Sequence, residues 1–104
     1  MSNKTRGRLE TNRLTPRLRD LAANCDLRQA ANACMATANA VQRFGNPGVR
    51  LMGLATAFLI AAEAAGISVT DMMVYARNCM NTAEGRRVEF KATTDYIVKE
   101  IIND

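Results

Sequence analysis

The sequence predicts an all-α fold, a compact bundle of four to five helices behind a flexible basic N-terminal arm. Three observations predict it. Apolar residues recur at spacings of three and four along much of the chain, as they do on one face of a helix. Helix punctuation stands where those stripes begin and end, at Thr15-Pro16, Asn46-Pro47 and Gly66-Ile67-Ser68. Apolar residues make up 48% of the chain against 23% charged, the balance of a folded protein rather than a disordered one.

Residues 1–13 are polar, basic and aperiodic, and read as the arm; residues 14–104 read as a single helical domain. Thr15-Pro16 supplies a capping hydroxyl and a proline at the first helical position. Leu14, Leu18, Leu21 and Cys25 then make one apolar face. A second stripe, Leu27, Ala31, Cys34, Ala38 and Val41, starts out of phase with the first. Asp26 with Gln29 has the form of a capping box, so a kink or a new helix is expected near Asp26, ending at Gly45.

Pro47 to Ala65 is apolar nearly all round, with only Arg50 and Glu63 charged. Such a helix is expected at the centre of a bundle or in an oligomer interface. Its small-residue row, Gly53, Ala57 and Ala61, would accept the alanine-rich face of residues 30–40. After the Gly66 turn, Ser68-Val69-Thr70-Asp71 resembles a capping box for a helix reaching about Met80. Residues 81–89 read as a charged loop, with a short strand conceivable at residues 88–90. Phe90, Ile97 and Ile101 mark an amphipathic C-terminal helix, on which Asp95 and Lys99 stand as an i, i+4 pair.

The net charge of +4 is uneven: residues 1–19 carry +5 and the rest −1. A basic arm suits a polyanion, nucleic acid being the commonest, and reads otherwise as a solubilising tail. Three cysteines, no histidine and no CxxC pair argue against a disulfide framework and a zinc site. Cys25, Cys34 and Cys79 read as small buried thiols. No nucleophile comes with an imidazole or another orienting partner, and no glycine loop has the spacing of a phosphate cradle, so no enzyme and no cofactor is expected. The longest apolar run, Leu51 to Ala62, is shorter than the ~20 residues that span a bilayer. No apolar segment follows the basic N-terminus, and the expectation is a soluble cytoplasmic protein without a membrane partner.

Two sets of residues are candidate sites. Ala62, Gly66, Ile67, Met72 and Tyr75 fall where a helix-turn-helix places a small residue, a turn glycine and three apolar contacts. The first helix of that motif would be residues 58–65 and the recognition helix residues 69–80. Thr70, Met73 and Arg77 would face bases while Arg6, Arg8, Arg13, Arg17 and Arg19 meet phosphates. Met73 is an unusual base reader, Asp71 would repel phosphate unless it caps the helix, and Leu59 and Ile60 are too apolar for a solvated first helix. The competing reading is an ordinary helical hairpin with a glycine turn.

Arg28, Asn32, Asn39 and Arg43 form the second set, a ladder that could hold a small anionic nucleotide or a partner's carboxylates; as a solvated face it would do neither. The functional expectation is therefore a non-enzymatic, homo-oligomeric nucleic-acid-binding protein, with an inhibitor or adaptor of a host protein as the alternative. In general style the chain resembles small, cofactor-free, basic helical accessory proteins of phages and mobile elements, without matching one family.

Overall fold

A computed structural model describes residues 17–103, which form five helices, a short hairpin and a C-terminal element packed against three of the helices. The expected arm, with Arg6, Arg8 and Arg13, and the Thr15-Pro16 signal lie outside the described residues. Helix α1 covers residues 17–23 and is followed by a break at residues 24–26. Helix α2 is Leu27–Val41, so the two N-terminal stripes form two helices and not one rod. Asp26 makes the new start by accepting a hydrogen bond from the Gln29 amide at 2.9 Å. Helix α2 stops at Val41, short of the expected Gly45, because the chain tightens there: Gln42 and Phe44 donate to the carbonyls of Asn39 and Val41.

Helix α3 is Pro47–Ala65, with Pro47 at its first position and the Asn46 side chain accepting from Gly48 and Val49 at 2.7 and 3.3 Å. It ends at Gly66, whose φ of 73° lies in the left-handed region that a Cβ disfavours. Ser68 then caps helix α4, Val69–Met80, by accepting from the Asp71 amide. A hairpin follows, β1 Asn81–Thr82 against β2 Gly85–Arg86, antiparallel with Asn81 opposite Arg86. Strand pairing thus falls before residues 88–90, and those residues instead open helix α5, Val88–Tyr96. Glu89 in its first turn favours that start through the helix dipole.

Helix α5 continues into a π-helical turn, Ile97–Ile102. The wider turn changes the angular step between side chains, and Asp95 and Lys99 form no ion pair although they stand four residues apart. The core is thin. Among the described residues the buried apolar side chains are Ala31, Ala38, Ala62, Ile67, Phe90 and Ile101. The C-terminal element touches both α2 and α3, and it holds the centre that the sequence suggested for α3. Only Arg50 and Ala62 of α3 are buried. Gly53 does lie near α2, where a Cβ on it would meet Val41 at 3.7 Å. By length and composition α3 could cross a membrane, since the 19-residue helix extends well beyond the apolar run that marks it in the sequence.

Candidate nucleic-acid interface

The hairpin of α3 and α4 is built around two side chains. Ala62 has no exposed surface and Ile67, in the middle of the turn, keeps 4%. A small residue at 62 lets α4 cross closely, and Ile67 plugs the gap between the helices. The Ile67 amide donates to the Ala62 carbonyl at 3.1 Å, which ties the turn to the end of α3. Met72 and Tyr75 are half-buried on the inner side of α4, while Thr70, Met73, Val74 and Arg77 face solvent.

Asp71 stands in the first turn of α4, where a carboxylate complements the helix dipole. Arg19 of α1 comes to it at 3.5 Å. Both side chains are partly solvated, so the pair adds little to stability. Its consequence is positional: it sets α1 beside the start of α4 and offsets the carboxylate there. Arg17, in the same helix, is exposed. The N-terminal Arg residues of the candidate set are continuous in sequence with this helix.

The ladder on α2 divides. Arg28 and Asn32 line an open cavity of about 580 Å³ together with Asp26, Gln29 and Glu89. Two carboxylates there offset the guanidinium. Asn39 accepts a hydrogen bond from the Tyr96 hydroxyl at 2.8 Å, which links α2 to α5. Arg43 lies beyond the end of α2, with its guanidinium 5.0 Å from the centroid of the Phe44 ring. Arg86 of β2 and Arg87 beside it are likewise engaged. Arg86 donates to Asn81 and Thr94, and Arg87 donates to the Asn78 carbonyl.

Two features escaped the sequence. Arg50, 7% exposed, donates to the Ile101 carbonyl at 3.1 Å and to the Phe44 carbonyl at 3.1 Å. Its signal was there, a lone cation in an apolar helix, but its acceptors are main-chain groups that no sequence pattern marks. The cysteines also differ from expectation: Cys25 and Cys34 are exposed and Cys79 is half-buried. The Cys25 thiol lies in a loop, not on a helix face, and is a neighbour of Cys79. Burial and then the neighbouring Cys25 push the Cys79 thiol above its ordinary range, against the pull of Arg87. Desolvation raises Cys34 too, against Arg86, because its thiol borders other side chains although the residue as a whole is exposed. Cys34 lines a small apolar groove of about 270 Å³ with Met80, Phe90 and Ile97. Among the described residues no group of His, Cys, Asp and Glu is placed to hold a metal ion. No protein-family model, curated protein or solved structure matches the chain.

Proposed function

We propose that this chain is a non-enzymatic, cytoplasmic nucleic-acid-binding protein that uses α4 and the basic segment leading into α1. The observation that carries the reading is the Arg19–Asp71 contact. It supports a single surface composed of the start of α1 and the outward face of α4. It also answers the electrostatic objection to Asp71, whose charge is spent on the helix dipole and on Arg19. Arg17, Arg19 and the upstream Arg6, Arg8 and Arg13 supply phosphate contacts, and Thr70, Met73 and Arg77 supply the limited reading of base edges. The biological setting that fits is a transcription regulator or a phage or mobile-element accessory protein.

The test is a fluorescence-anisotropy titration with a random duplex at about 50 and about 200 mM salt. Binding should weaken steeply with salt, by a log–log slope of about 0.9 for each phosphate contact. Deleting residues 1–13 should remove most of it. Arg77→Ala should weaken a preferred site more than a random one. An absence of binding at the lower salt sinks the reading. A protein partner is the second reading, favoured by the apolar outer side of α3.

A further inference from the structure

Helix α3 carries apolar residues on the side away from the core, in a coiled-coil order. Val49, Met52, Thr56, Leu59 and Glu63 follow at steps of three, four, three and four, the spacing of a two-helix seam. The buried residues of the helix, Arg50 and Ala62, define its inner face, and at about 100° per residue the seam lies roughly opposite. Met52 is 61% exposed and Ile60, on the flank of the seam, is 64% exposed. The Thr56 hydroxyl donates to the Met52 carbonyl at 2.7 Å, so it needs no water when covered.

We infer that a second copy of this chain covers the seam, with the two α3 helices antiparallel about a twofold axis at Thr56. About that residue Val49 and Glu63 stand equally far on either side, Met52 is mirrored by Ile60, and Leu59 by Gly53. Reversing one copy therefore sets Met52 against Ile60 and Leu59 over Gly53, where the missing side chain leaves room for it. Charge selects the direction. Glu63 is the one charged residue of the seam, and the antiparallel arrangement brings it to the positive end of the partner helix dipole. A parallel pair would set Glu63 against Glu63. A membrane-spanning role is opposed by Arg50, which is buried on the same helix and bonded to the carbonyls of Ile101 and Phe44. Two helices meeting over a seam about 21 Å long bury less than the ~800 Å² per partner of a standard interface, so a weak, concentration-dependent dimer is expected.

Sedimentation equilibrium from about 1 to about 100 µM tests this. The wild-type mass should rise toward twice the 11.4 kDa of one chain. Leu59→Glu and Ile60→Glu should each raise the dimer dissociation constant at least ~30-fold with unchanged helical circular dichroism, since both side chains are exposed in the single chain. In a background with serine at positions 25, 34 and 79, Val49→Cys should cross-link to Glu63→Cys in a mixture but not to itself. A wild type that stays monomeric, charged variants that dimerise as tightly, or self-linking Val49→Cys would each overturn the proposal. A monomer that sediments with anionic lipid vesicles would also overturn it and assign the seam to a membrane surface. The inference stands apart from nucleic-acid binding: a dimer that ignores duplex leaves it intact, and a monomer that binds duplex defeats it alone.

Discussion

The two helices of the hairpin both turn a face to solvent, and the two faces differ in kind. Helix α3 shows Val49, Met52, Leu59 and Ile60, with Glu63 at the end, while α4 shows Thr70, Met73, Val74 and Arg77 beside the Arg19–Asp71 pair. An apolar face gains free energy only by leaving water, so it asks for another apolar surface. A mixed face stays solvated and can meet a charged ligand whose binding depends on salt. On the functions proposed above, the same hairpin would use one surface for self-association and the other for a polyanion. What holds it in place is the inner side of α3, where Arg50 and Ala62 are buried.

The contrast between the two sides of the helical layer has its largest effect on stability. Ile101 is fully buried, and Ile101→Ala should destabilise by about 3 kcal/mol, read as a fall in the urea midpoint at constant slope. Ile60→Ala, on the outer face of α3, should stay within ~0.5 kcal/mol at concentrations where the protein is monomeric. Equal losses at the two positions would erase the contrast.

Next comes the anchor of α3. Arg50→Ala leaves the Ile101 and Phe44 carbonyls without their donor and should destabilise by about 2 kcal/mol. A loss under ~0.5 kcal/mol would mean that water replaces the guanidinium without penalty. Gly66→Ala probes the joint between the two helices. At a φ of 73° the added Cβ should cost about 1 kcal/mol by the same unfolding assay, and a neutral result would show that the turn relaxes.

The smallest effect is a pH dependence. Cys34 and Cys79 have thiol pKa values raised in the folded chain, by burial first, so folding favours their protonated form. Their contribution to stability is complete below the pKa of the unfolded thiols and is lost as pH rises through the folded values. Stability should therefore decline on the alkaline side, and serine at positions 34 and 79 should flatten that decline. A decline that persists with serine at both positions contradicts the assignment.

Much of the local architecture was legible in the sequence because it depends on neighbours in the chain. Asp26, Asn46 and Ser68 each cap the helix that follows within three residues, and Gly66 ends α3 in the conformation its type permits. What depended on distant partners was not legible. The buried position of Arg50 requires a carbonyl 51 residues away, and Asn39 leaves the ladder because Tyr96 reaches it from α5. The Cys25–Cys79 contact joins a loop to the end of α4. The apolar run of α3 was plain, but whether it faced the core or solvent depended on how little of it the C-terminal element could cover. Of the candidate interface, the hairpin was visible as a motif, whereas the pairing of Arg19 with Asp71 needed the fold.

The most direct test of nucleic-acid binding through α4 and α1 is an amide chemical-shift titration of the protein with a short duplex at low salt. The account predicts shifts concentrated at Arg17, Arg19, Thr70, Met73 and Arg77, with the amides of Met52, Leu59 and Ile60 unmoved. No shifts at saturating duplex, or shifts centred on α3, would contradict it.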